Sequence, residues 1–239
     1  MSANLILRNT VPSAVFLRLG EHKSVLVSIP EVRYLICQSV LSDDLEEAAR
    51  REVGPNMIPE NHPLEKLFVE LVGRHYAQEI GIRDPQIVGY VAHLLTEFCD
   101  AQQLMKIRNA NGRPLTDVGE MLLESDPVFG PAPSFDRERE VRKHIGDYTL
   151  FFAGMFPESI NRHRLRRQRL ESFVEWVRAG KESYYIVSKF EYFEYAKVAP
   201  LFALLSEKFE DCVYGLNLVK NELEVMQHPI ARRGNELIM

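Results

Sequence analysis

Histidine and carboxylate pairs set one helical turn apart are the residues of this sequence best suited to chemistry. His75 and Glu79 form one pair; Glu140 and His144 form another, with Asp147 next along the same edge. Four-residue spacing puts the members of each pair on one helix face. Inward-facing Glu and His from several helices are how carboxylate di-metal sites are built in helical bundles. Imidazole with carboxylate suits iron, manganese or zinc. His75, Glu79, Glu140 and His144 are therefore the candidate metal ligands. The usual signature of such sites, Glu-x-x-His on two helices, is absent, and a histidine on an apolar face is more often a hydrogen-bonded core residue. A metal site is the minority reading. His93 and Glu97 repeat the spacing toward the polar side of their helix, where an ion pair is expected.

His144 stands out among these. It sits on the only polar edge, Glu140, His144 and Asp147, of an otherwise apolar helix. The spacing predicts that His144 lines an internal or cleft site with a carboxylate in hydrogen-bond reach, an arrangement that favours the imidazolium. Asp147, Tyr148 and Tyr184 join it as candidate ligand- or partner-binding residues.

A basic run at residues 162–169 holds five arginines and a histidine. At about 100° per residue, Arg162, Arg166 and Arg169 line up with Phe173, Val177 and Tyr184, while Arg164 and Arg167 point elsewhere. Arginines continuing an apolar stripe could bind a carboxylate or phosphate bidentately, or dock an acidic partner. The competing interpretation is a solvated helix start whose arginine stems cover apolar surface. Residues 184–195 then carry six aromatics in twelve positions. Such a block could line a ligand cavity, but more often it fills a core with its hydroxyls at the rim.

These side chains need elements to hold them. Val141, Ile145, Tyr148, Phe152 and Phe156 recur at helical spacing, so a buried helix is expected to run to Pro157. Gly146 and Gly154 share another stripe of it, which predicts a closely approaching neighbour. Helices are also expected over residues 31–52, 63–80 and 85–105, and in a short piece opening near Thr116. An aromatic-rich helix should reach about Lys197. A last helix should start at Pro200, with Phe202, Leu205, Phe209, Cys212, Leu216, Val219, Leu223 and Met226 on one seam against the preceding helix. Short apolar runs within residues 3–29, broken by turn residues, predict two or three short strands.

Composition bounds the rest. At 239 residues, with 46% hydrophobic and 26% charged residues, the chain is long enough for a sizeable core without disulfides. A net charge of −5 argues against a surface that coats nucleic acid generally. Three scattered cysteines suit a reducing compartment. Neither a basic-then-apolar leader nor a membrane-length apolar run is seen, so the expected setting is cytoplasmic and soluble. The phosphate-binding loop, the dinucleotide glycine fingerprint, Gly-x-Ser-x-Gly and His-Glu-x-x-His are all absent.

The stretch Gly146-Asp147-Tyr148-Thr149-Leu150-Phe151-Phe152-Ala153-Gly154-Met155-Phe156-Pro157 is similar to one in uncharacterised bacterial helical proteins. Those proteins follow it with a tyrosine-rich helix and a final helix resembling Cys212-Val213-Tyr214-Gly215-Leu216-Asn217. The resemblance spans about residues 140–223 and implies no activity, cofactor or site.

The expected fold is mainly α, a multi-helix bundle with a small N-terminal β element. Residues 1–54 would hold that element and a first helix, and residues 55–239 the bundle, in two units or one continuous domain. The expected function is a non-enzymatic interaction or regulatory protein, acting through the arginine-rich helix start and aromatic helix on a protein partner or acidic ligand. Nucleic acid is a less favoured partner, a membrane is not expected, and a homodimer is compatible with the seam. The alternative is a helical-bundle metalloenzyme or small-ligand-binding protein that uses the inward-facing His and carboxylates.

Overall fold

The computed structural model describes residues 63–131, 134–157, 160 and 173–236, with side chains to residue 225 apart from Pro63 and Ala101. Of residues 1–62 it describes only the backbone of Val15–Leu19 and Lys23–Val27, drawn as an antiparallel pair. The helix expected over 31–52 and the arginine run at 162–169 lie outside the described residues.

The described residues are mainly helical, with eight α-helices. Helix α1, Pro63–His75, begins on a proline whose missing N–H is not needed there, and runs into a π-turn at Tyr76–Ile80. Gly81 ends it at φ 79°, a left-handed conformation that glycine adopts without Cβ strain. Helix α2, Pro85–Glu97, starts as the Asp84-Pro85 pair predicts, with the Asp84 carboxylate accepting from the Gln86 amide.

The single helix expected over 85–105 is broken. After Glu97 the chain turns, and the Asp100 carboxylate accepts from the Gln102 amide to open the one-turn α3, Ala101–Leu104. Helix α4, Val118–Glu124, opens near Thr116 as expected and is capped by Asp117, whose carboxylate accepts from the Glu120 amide.

Helix α5, Phe135–Met155, is the central element, capped by Ser134. Every residue from His144 to Met155 is buried, so helices surround its C-terminal half on all sides. Helix α6, Phe173–Val187, packs along α5 in the opposite direction, with Gly146 opposite Tyr184 and Gly180 opposite Thr149.

Two expectations fail beyond α6. The aromatic-rich helix stops at Val187, where the Ser188 hydroxyl donates to the Tyr185 carbonyl, and the chain continues as a 3-10 turn at Phe193–Lys197. The last helix is two: α7, Ala199–Glu207, and α8, Phe209–Glu236, separated at Lys208. The expected seam is buried from Phe202 to Val219 across that break. Its partners are several rather than the preceding helix alone. Leu216 sits on Gly154 of α5, Phe209 on Gly180 of α6, and Gly215 under Tyr76 and Ile80 of the π-turn that follows α1. The two glycines of α5 therefore admit different helices, Tyr184 of α6 at Gly146 and Leu216 of α8 at Gly154.

Candidate functional site

Of the polar residues on α5, His144, Asp147 and Thr149 are buried in the core, and Lys143 is half-buried beside Asp147. Asp147 is fully buried. One of its oxygens accepts from the Tyr90 hydroxyl of α2 at 2.5 Å and from the Tyr184 hydroxyl of α6 at 2.8 Å. The other accepts from Lys143 Nζ at 2.7 Å, one helical turn back. A lone buried carboxylate is very costly; here two phenols and an ammonium satisfy it, all by charge-assisted hydrogen bonds. Phe202 of α7 closes the group, its ring meeting those of Tyr90 and Tyr184 at 5.5 and 5.6 Å between centroids. Four helices thus meet at one carboxylate.

The electrostatics fix each member in one protonation state. Burial pushes the Asp147 carboxyl up, but the Lys143 charge and the three hydrogen bonds outweigh it, so its pKa falls below the usual value. Burial alone would lower the Lys143 pKa; Asp147 more than reverses that and raises it. Burial, then the Asp147 charge, hold both Tyr90 and Tyr184 well above the usual tyrosine range. At neutral pH the group is carboxylate, ammonium and two phenols. None of the four titrates near pH 7, as a general acid or base would need to.

His144 is buried among aromatic rings, 5.9 Å between centroids from both Phe98 and Tyr148. Its Nε2 lies 3.2 Å from the Leu104 carbonyl, and its Nδ1 is buried without a partner. The expected carboxylate hydrogen bond is not formed, because Asp147 is taken by Tyr90, Tyr184 and Lys143. Burial, with the Lys106 charge second, brings its pKa down to about 3. The imidazole is therefore neutral at pH 7, opposite to the imidazolium expected. Tyr148 is buried, and its hydroxyl donates to the Thr116 carbonyl at 3.2 Å.

The candidate metal ligands are not brought together. His75 Nε2 lies 2.7 Å from Glu222 of α8, which also holds Arg74 at 2.6 Å. Glu79 is exposed. Glu140 is exposed and pairs with Arg137 at 3.0 Å, while His144 faces the core. Among the described residues, no group of three or more His, Cys, Asp or Glu is arranged to hold a metal ion. His93 lies 3.7 Å from Glu97, the pairing that its spacing predicts, and 3.7 Å from Glu65 of α1.

Of the aromatic block, only Tyr184 is a core residue. Tyr185, Tyr192 and Phe193 are exposed, with Phe193 at 92%. Arg162, Arg166 and Arg169 lie outside the described residues. Sequence reasoning identified Asp147 and Tyr184 but missed Lys143 and Tyr90. Lys143 was legible at four-residue spacing from Asp147; Tyr90 carried no signal beyond its place on an amphipathic helix. Among the described residues, no helix is long and apolar enough to cross a membrane. No family model, no curated protein and no solved structure matches the chain.

Proposed function

We propose that this is a cytoplasmic, non-enzymatic interaction or regulatory protein that docks a protein partner through the arginine-rich stretch preceding α6 in sequence and the aromatic residues of and after that helix. The observation that carries this reading is the exposure of Tyr192 and Phe193, 73% and 92%, side by side just beyond the helix. Large aromatics are what protein interfaces bury at their centres, and two adjacent ones are costly to leave in water without that use. Support also comes from the Asp147 group. Its members satisfy one another and none titrates near neutrality, which suits a brace better than a reactive centre.

Arg162, Arg166 and Arg169 belong to the same proposal as its acidic-partner contacts. They precede Phe173 in the chain, whereas the exposed aromatics follow Val187.

The test is a photo-reactive amino acid placed at position 193 in cells, with a second placed at exposed Gln102 as the control. A discrete protein adduct at 193 that is missing at 102, and that weakens with Arg166→Glu and Arg169→Glu, is the expected result. No adduct at 193 would overturn the reading. A stoichiometric metal in the purified protein would favour a metalloenzyme or ligand-binding protein instead.

A further inference from the structure

Residues 189–198, which join α6 to α7, are a largely exposed connection. Lys189, residues 191–194 and residues 196–198 are exposed, and no residue of the 3-10 turn is buried. The short internal hydrogen bonds of the segment run from the Glu191 amide to Lys189, from Tyr195 to Tyr192 and from Val198 to Tyr195. Phe193 has φ 52°, the one positive-φ residue other than glycine among the described residues. A left-handed backbone is strained for a bulky side chain, and here the side chain is nearly all in solvent and gains nothing from packing.

At the α6 end Lys189 Nζ lies 4.5 Å from the centre of the Tyr185 ring, and further along one contact ties the segment to α5. The Arg139 guanidinium of α5 lies 3.7 Å from the centre of the Tyr195 ring. Among the described residues, no other hydrogen bond, ion pair or ring contact ties a side chain of the segment to α5. Arg139 also heads a line, since Arg139, Lys143 and Asp147 follow one another at four-residue steps on α5. Arg139 is at the segment, Lys143 is partly exposed and Asp147 is fully buried.

We infer that residues 189–198 are a strap latched shut by the stacking of Arg139 on Tyr195 and biased to open by the backbone strain at Phe193. Closure is opposed by the left-handed conformation and favoured by the cation–π contact, two effects of similar size. Their balance makes the strap a two-state element that a small competing contact can switch. Opening releases Phe193 to the extended backbone and frees the Arg139 guanidinium at the outer end of the line leading to Asp147. A carboxylate that takes Arg139, or a partner that takes the Tyr195 ring, opens the strap without unfolding the helices beneath it. This device stands on contacts within the chain and holds whether or not the proposed docking role is correct.

Native-state hydrogen exchange on the full chain tests it, read at the Glu191, Tyr195 and Val198 amides and at Leu150 in the core of α5. Arg139→Ala and Tyr195→Ala are each expected to speed exchange in the strap by about tenfold and leave Leu150 unchanged. Tyr195→Phe keeps the ring and is expected to behave as wild type. Phe193→Asn, a residue that tolerates the left-handed region, is expected to slow strap exchange. Unchanged strap exchange in Arg139→Ala would overturn the inference. So would an equal acceleration at Leu150, or faster strap exchange in Phe193→Asn.

Discussion

The ring of Tyr184 lies where a Cβ on Gly146 would have to be. A methyl group built there would come 2.3 Å from Cε1 and 2.4 Å from Cδ1. The ring cannot swing away, since its hydroxyl donates to Asp147, the next residue of α5. Gly146 is therefore required by contact rather than by backbone conformation, and it sets how closely α5 and α6 approach.

Gly146→Ala is expected to destabilise the protein by about 1–3 kcal/mol, the usual cost of overpacking a core. Gly89, on the exposed side of α2, has nothing within 4 Å of a built Cβ. Gly89→Ala should instead stabilise by up to about 1 kcal/mol through helix propensity. Urea denaturation of both variants checks the pair, and a stabilised Gly146→Ala would show that the two helices are not in close contact.

Asp147→Asn removes the charge that Lys143, Tyr90 and Tyr184 converge on. Breaking one partner of a buried ion pair costs about 3–5 kcal/mol, and that loss is expected here. Lys143→Met should also destabilise, and the double variant should lose less than the two losses added. Additive losses in the thermodynamic cycle would mean that the two side chains do not interact.

The buried histidine and carboxylate both set an acid limit. His144 has its folded pKa near 3, below the unfolded value of about 6.5, so the unfolded chain binds more protons between them. Stability is therefore lost as pH falls below about 6.5. Asp147 is depressed from an unfolded value of about 3.9, so its contribution is present above that pH and lost as pH falls through the folded value. Denaturation midpoints measured from pH 7 to 4 should fall steadily in the wild type and flatten in His144→Gln. A slope that the substitution leaves unchanged would assign the acid sensitivity to other groups.

Phe209 is fully buried where α8 begins, with its ring against Gly180 and 5.8 Å between centroids from the Tyr184 ring. Phe209→Ala is expected to cost about 3–5 kcal/mol, as for other buried aromatics. An unchanged denaturation midpoint would be incompatible with that packing.

The helical fold was legible because periodicity reports which face is buried. Val141, Ile145, Tyr148 and Phe152 mark α5, and the seam from Phe202 to Val219 marks α7 and α8 together. Breaks within that pattern were not legible. The seam runs without interruption through Lys208, although the helix does not, because the buried face continues across the turn. The aromatic block misled for a related reason. Tyr184 and Phe193 read alike by composition, yet one is pinned to Asp147 and the other is in solvent. Pairing across helices decides a polar site, and only the nearest pairs leave a mark in sequence. Lys143 and Asp147 do so, being one turn apart, whereas Tyr90 is 57 residues away from its carboxylate.

The place of α8 in the core also sets a timetable for synthesis. The Tyr76 hydroxyl donates to the Cys212 carbonyl, 136 residues further along, and the Tyr76 ring rests on Gly215. At about 5–20 residues per second, a ribosome needs roughly 7–27 seconds to pass from Tyr76 to Cys212. Through that interval the apolar face of α1 and its π-turn, including Leu71, Val72 and Tyr76, waits for its last neighbour. The last contact of this face therefore forms only once nearly the whole chain has been made.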